Sequence, residues 1–383
     1  MTQRTTGEYV RSSTAGEVVN AFVPLALPPR DPALSRDELA SPNSEAEIAL
    51  ARLSGVSGLV PSVDWLLYGA VRREALLTSQ MEGTQATLAD LFDQEAGFEV
   101  ANAEDVEEVT NYLRAFRWVR QQLRSAKGLP LSTRLICEAH KRLMAGARGA
   151  DKRPGELRKS QNWIGGTRPG NASFVPPPAD RVPALLASLE KYIHSRRPAL
   201  PPLVRIALVH AQFETIHPFL DGNGRLGRLL IGALLEHWEL MPEPLLYLSG
   251  YLKKHQAEYY RRLSAIRAQG DWEGWVAFFL EAVVAAAAEA ESGIIAVASR
   301  VTADRRKLLD SAKATPASYR LFEMLPMMPR FSVEQARKKL KTTFPTANAA
   351  VRSLQGLKIV SELTGQRANR IYSYGGYIDL LTR

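Results

Sequence analysis

The run PPLVRIALVHAQFETI leads directly into HPFLDGNGRLGR and then LLIGALLEHW, residues 201–238. No other stretch constrains the fold as tightly. The first and last segments are apolar over most of a helical face. DGNG cannot continue a helix, so two helices must meet at a glycine turn and the second must open on it. Free backbone N–H groups and the positive dipole end then point at that turn, which favours an anion. Gly222 and Gly224 let the backbone approach closely. Arg225 and Arg228, three apart, share a face and point back to the helix start. Two arginines beside an anion nest suit a di- or triphosphate. Asp221 is a hard oxygen ligand suited to Mg²⁺ bridging phosphates. His217, expected to titrate near neutrality as imidazoles ordinarily do, fits a general base for a hydroxyl attacking phosphorus. Zinc fits poorly, because His210 is seven residues away and no cysteine is near. Phe219 reads as a core anchor for the loop.

Around this pair, apolar spacing predicts further helices over about 44–55, 63–82, 103–126, 131–145, 181–195, 252–268 and 272–298. The fold class is therefore mainly α, a helical bundle. Residues 1–43, rich in Pro, Ser and Thr, read as an extended arm. SQNWIGGTRPGNASFVPPP (160–178) places β-type residues around two turn signals and reads as a β-hairpin flap. After about residue 300 three short helices and two wing strands, KIVSEL and RIYSY, follow the order of a winged helix-turn-helix. The expected domains are 1–43, a helical region 44–130, a core 131–299 and a C-terminal domain 300–383.

Charge separates the last of these from the rest. Residues 301–383 hold 15 Lys and Arg against 6 Asp and Glu, whereas residues 1–300 hold 34 of each. That asymmetry suggests an anionic partner, DNA among them, or a solvated basic surface. Lone Cys137 excludes an internal disulfide and fits a reducing, cytoplasmic setting. No secretory signal is visible at the N-terminus. The most apolar run, WVAFFLEAVVAAAAEAESG, is broken by Glu281, Glu289 and Glu291, so it reads as a core helix and not a membrane span.

FETIHPFLDGNGRLGR resembles the active-site motif of the Fic family, HPFx(D/E)GNGRxxR, at every defined position. The resemblance implies a Fic-type helical core and transfer of AMP from ATP, with Mg²⁺, to a Ser, Thr or Tyr hydroxyl of a protein. It implies that His217 deprotonates the target and that Asp221 holds the metal. Gly222, Asn223 and Gly224 would cradle the α- and β-phosphates, with Arg225 and Arg228 on the β- and γ-phosphates and Leu226 and Gly227 between them. Related Doc kinases carry a lysine in this loop and lack the second arginine; this chain keeps both arginines. NWIGGT is similar to the family's target-clamping segment, which would place Ile164, Gly165, Gly166 and Thr167 near the nucleotide. LYLSGYLKKHQAEYYRRL resembles the stretch lining the adenosine pocket, with Tyr251 and Tyr259 as candidates; packing serves equally for either. Self-modification and a homodimer are further expectations from the family.

TSQMEG poses a separate question. The helix predicted to end near Met81 would put Glu82 in its last turn, where the dipole disfavours a carboxylate by ~0.3–1 kcal/mol. A cation should compensate, and Thr78 one turn earlier could buttress the carboxylate. The segment matches the family's inhibitory motif, (S/T)xxxE(G/N), through Thr78, Glu82 and Gly83. By that resemblance Glu82 pairs with Arg228 and restrains the enzyme. The alternatives are removal of AMP by the same site, and a DNA-binding regulator whose core senses nucleotide.

Overall fold

The structure is a computed structural model that describes residues 4–382 except 60–61, 147–148, 150, 197–198 and 367–369. The N-terminal segment departs from the expected extended arm. Strands β1 (Gly7–Thr14) and β2 (Glu17–Pro24) pair antiparallel along their whole length. Ala15 and Gly16, at φ 48° and 78°, form the two-residue left-handed turn whose twist suits a hairpin. Alternation in EVVNAFV carried this signal, and the surrounding Ser, Thr and Pro obscured it. Helix α1 (Arg36–Val56) also starts earlier than its apolar spacing suggests and runs through Pro42. Its Leu39, Ala46, Leu50 and Leu53 are buried, and that packing outweighs the hydrogen bond lost at proline.

The central helices are α2 (Val63–Gln80), α3 (Leu88–Glu95), α4 (Ala103–Arg124), α5 (Thr133–Leu143), α6 (Val182–Ile193), α7 (Pro202–Ile216) and α8 (Asn223–His237). Short α3, absent from the sequence reading, is closed by a Thr87–Asp90 capping box. The expected helix over 252–268 divides at His255 into α9 (Ser249–Lys254) and α10 (Gln256–Gln269). Helix α11 (Trp272–Leu309) runs 38 residues, well past the predicted end. It is long and apolar enough to cross a membrane by composition, and 33% of that apolar window is buried. Its Trp275, Phe279 and Leu280 lie in the core, where Trp275 Nε1 donates to Ala207 O at 2.9 Å.

The C-terminal region holds α12 (Pro316–Met324), strand β3 (Arg330–Ser332), α13 (Val333–Leu340), α14 (Phe344–Gly356), strands β4 (Ser361–Glu362) and β5 (Ile371–Ser373), and α15 (Gly375–Thr382). Three strands pair antiparallel in the order β3-β5-β4, one more than the two expected. Residues 367–369, within the expected wing, lie outside the described residues. The expected boundary at 299/300 falls inside α11, and one apolar core runs from Leu34 to Ile378. Tyr377 Oη donates to Trp65 O of α2 at 3.1 Å, and Leu381 fills the space that a Cβ at Gly69 would take.

The flap is looser than a hairpin. Its ladder is a single bridge, Ile164 with Phe174, with N–H···O distances of 2.8 and 3.1 Å. The N-terminal hairpin backs it. Phe22 N–H donates to Val175 O at 3.0 Å, and Val19, Ala21 and Val175 form a small cluster with Trp163.

Candidate active site

Helix α7 is buried almost all round and ends at His217, which caps it in the left-handed region (φ 47°, ψ 63°). That conformation costs a non-glycine residue ~1–2 kcal/mol, and the surroundings hold it firmly. Arg158 reaches the end of α7 with Nε on His217 O (2.9 Å) and Nη2 on Ile216 O and Pro177 O (3.3 and 2.5 Å). A cation there suits the negative helix end. Burial lowers the Arg158 pKa to about 10, which leaves it charged at neutral pH.

The loop that follows is clamped from below. Phe219 is fully buried and stacks on His140 with ring centroids 3.8 Å apart. His140 Nδ1 accepts from Gly155 N–H at 2.8 Å, so its proton sits on Nε2 and is donated to Asp221 O at 3.0 Å. Burial drives its pKa to about 4 and keeps it neutral. Gly222, at φ 75°, is the residue before α8, and a Cβ there would meet Met144 Sδ at 2.7 Å. Glycine is therefore required both by the backbone and by the space.

His217 is half-buried, and desolvation, aided by the nearby Arg158 charge, lowers its pKa to about 3 although Glu82 opposes the shift. The imidazole is neutral at physiological pH. Asn223 is oriented by Phe219: its Oδ1 accepts Phe219 N–H at 2.9 Å, which turns Nδ2 toward Phe219 O (2.9 Å) and His217 Nδ1 (3.1 Å). Asn162 of the flap brings its Nδ2 to the same two atoms, each at 3.1 Å. Two amide donors thus face one imidazole lone pair, so the resting ring carries its proton on Nε2. Asn162 Oδ1 is buried without a partner.

The two arginines diverge. Arg225 turns to α4 and pairs with Glu108 at 3.1 Å, both side chains buried. Arg228 turns to α2: Nε donates to Thr78 Oγ1 (2.6 Å), and Nη2 to Thr78 O (3.0 Å) and Glu82 Oε1 (2.5 Å). Helix α2 ends at Gln80 with Met81 as cap, so Glu82 stands just beyond the helix and not in its last turn. Gly83, at φ 103°, turns the chain away. Glu82 Oε1 lies 2.4 Å from where a Cβ on Gly224 would sit. A carboxylate therefore already occupies the first turn of α8, the position suited to an anion. Burial alone would raise the Glu82 pKa, but Arg228, then Arg225 and His217, hold it below the ordinary carboxylate value. Burial likewise opposes the Arg228 charge, and Glu82 more than offsets it.

Comparison with known proteins agrees with this geometry. The Fic/DOC family profile matches residues 130–235, and the Fic/DOC family N-terminal profile matches residues 40–121. The chain belongs to the Fic/DOC family. Among curated relatives, the protein named protein adenylyltransferase Fic from Drosophila erecta is 25% identical over 205 residues, 52% of this chain and 38% of that protein. Its namesake from Drosophila grimshawi is 26% identical, over 52% of this chain and 39% of its own. The match thus spans well under half of those relatives. Among solved structures, a Fic family protein from Desulfovibrio desulfuricans G20 aligns with TM-score 0.56 at 22% identity, covering 89% of this chain and 97% of that one. Fic-1 (residues 134–508) from C. elegans aligns with TM-score 0.52 at 21% identity, over 68% and 72%. At these identities the structures establish the Fic fold.

Within this Fic site, the expected residues are not all brought together. Asp221 sits at the mouth with a half-exposed side chain, its Oδ1 accepting Gly222 N–H at 2.5 Å. Leu226 is a buried core residue. Gly227 serves Glu214, whose Oε1 lies 2.2 Å from where its Cβ would be, and so makes room for a side chain. Tyr259 is buried with its Oη 3.0 Å from His210 Nε2, while adjacent Tyr260 is 47% exposed. Tyr251 stacks on His255 and lines an apolar cavity of about 110 Å³ between α2, α9, α11 and α15, apart from the motif loop. Of the flap residues, Ile164 forms the bridge and Thr167 N–H is tied to Asn171 Oδ1 at 3.0 Å. Sequence reasoning missed Asn162, Arg158, His140, Glu108, Glu214 and Arg267. Most of them come to the motif from outside it, and only the polar run RKSQN at the start of the flap hinted at two of them.

Proposed function

We propose that the chain is a protein adenylyltransferase, joining AMP from ATP to a hydroxyl side chain of a target protein and restrained by Glu82. The observation that carries this reading is a neutral imidazole at the end of α7 beside the N-terminal turn of α8, where Arg228 and a carboxylate meet. The names of the curated relatives support the same reaction. In it, the target oxygen bonds to the α-phosphorus while the bond from that phosphorus to pyrophosphate breaks, and the hydroxyl proton passes to His217 Nε2. The resting tautomer blocks that transfer. Transfer therefore runs from the other tautomer, with the ring proton on Nδ1 and Nε2 free as the base.

Asp221 fits a magnesium ion of the kind that takes most of its ligands from phosphate and water, because it offers one accessible carboxylate. Among the described residues no cluster of three or more His, Cys, Asp or Glu side chains could hold a metal unaided. Bound there, Mg²⁺ would neutralise charge on the triphosphate. Glu82 restrains the enzyme by occupying the α8 turn and engaging Arg228, the group that the γ-phosphate would use.

Incubation of the full chain with α-labelled and with γ-labelled ATP in lysate tests this reading. Label carried onto protein from α-labelled ATP alone, lost in His217→Ala, is expected. Label from γ-labelled ATP alone would make the protein a kinase and overturn the proposal. Mass spectrometry of the labelled proteins would identify targets, including the enzyme itself.

A further inference from the structure

Arg267, near the end of α10, is a cation at this site with neither an acid nor a set of carbonyls in contact among the described residues. Arg225 has Glu108, Arg228 has Glu82, and Arg158 has the carbonyls at the end of α7. The Arg267 guanidinium lies over the Phe174 ring of the flap, 3.8 Å from its centroid, and Nη2 donates to Ser264 Oγ at 3.2 Å. Among the described residues no carboxylate stands within ion-pair distance of it. Glu214 and the hydroxyls of Tyr9 and Tyr259 act on it through space only, and burial depresses its pKa to about 10. Its charge in turn reaches His217 and helps to depress the imidazole. Arg267 is half-buried, so its charge has lost part of its water, and a bound anion would offset that loss. One guanidinium face is already stacked on Phe174, so the remaining N–H donors along its edge are what a ligand would meet. Such an edge suits phosphate oxygens and offers little to a neutral purine or ribose.

We propose that Arg267 is a substrate-binding residue that takes the reacting phosphate of the nucleotide from the flap side. This subsite is separate from the α8 turn and from Arg228. The inference rests on the nucleotide reading of the site, but its test does not depend on transfer. Titration calorimetry of the full chain with ATP and with adenosine, on wild type, Arg267→Met, Arg267→Lys and Phe174→Leu, separates a phosphate contact from flap support. Arg267→Met should weaken ATP by about ten- to a hundredfold while adenosine changes less than about twofold. Arg267→Lys should recover part of the loss because the charge returns. Phe174→Leu should weaken both ligands alike if the flap shifts, or neither. Equal loss of ATP and adenosine in Arg267→Met would reduce the residue to flap support and overturn the inference. Unchanged ATP affinity would do the same. Should ATP bind while no variant transfers AMP, the adenylyltransferase reading falls and the Arg267 inference is decided by the binding data alone.

Discussion

Replacing Glu82 with glycine removes one specific obstacle. Its carboxylate bonds Arg228 at 2.5 Å and stands over Gly224, so on the proposed reading nucleotide phosphates and Glu82 would compete for one place. Arg228 need not swing to become available. Thr78 still holds it through Oγ1 and O, and its Nη atoms already lie 3.1 and 3.3 Å from the Cβ position of Gly224. A hydrogen bond to a charged group contributes ~1.5–3 kcal/mol. The Glu82 side chain is 35% exposed, so solvent screening argues for the lower end. About 1.4 kcal/mol corresponds to a tenfold tighter Kd for ATP in Glu82→Gly. AMP transfer at subsaturating ATP should rise by at least that factor. The gain should shrink at high salt, because a partly exposed pair is screened there. Because α2 ends at Gln80, the helix-propensity cost of glycine is well below its mid-helix value of ~1 kcal/mol, and a thermal melt should show little change. Arg228→Ala should lose activity, and Glu82→Gly added to it should not restore any. A folded Glu82→Gly protein with wild-type ATP affinity and transfer rate would refute the competition argument.

Four other perturbations follow from the same geometry. His217→Ala should lower transfer by ~10²–10⁴-fold with ATP still bound, measured by label incorporation beside calorimetry. Because the His217 pKa is lowered to about 3, the base stays neutral down to low pH; transfer by Glu82→Gly should show no acid limb between pH 8 and 5, and a limb near 6.5 would contradict the burial argument. Asp221→Ala should shift the Mg²⁺ titration of ATP binding to higher metal, whereas an unchanged curve would make Asp221 only a turn residue. Gly227→Ala forces a Cβ into the Glu214 carboxyl and should destabilise the protein by ~1–3 kcal/mol in a denaturant melt. Duplex DNA should bind weakly at most. Arg352 is the one cation on α14, and the groove it shares with Arg370 is faced by the 96–98 loop; a tight, strongly salt-dependent fluorescence titration would contradict this.

The two helices and the turn at 217–228 were legible because their signals are local: periodicity, turn glycines and a helix start. The pairing of Glu82 with Arg228 was legible only through the family motif, since the residues are 146 positions apart. Arg225 shows the limit of spacing arguments. Being three residues from Arg228 placed both on one face, yet Glu108 of α4 draws one away and Thr78 of α2 the other. One of the two amides that set the tautomer of His217 likewise comes from 55 residues away on the flap. The N-terminal hairpin was hidden by composition, and Pro42 masked a helix that tertiary packing sustains.

Helix α11 carries one more implication. At 1.5 Å per residue its 38 residues form a rod of about 57 Å that enters both halves of the molecule without a joint. Among the described residues α11 links the motif-bearing core to the C-terminal region, and α15 returns to rest on α2. Heat or denaturant should therefore melt the chain as one cooperative unit. A cut near residue 300 would sever a continuous helix, strip the cover from Trp65 and Gly69, and loosen the very helix that presents Glu82.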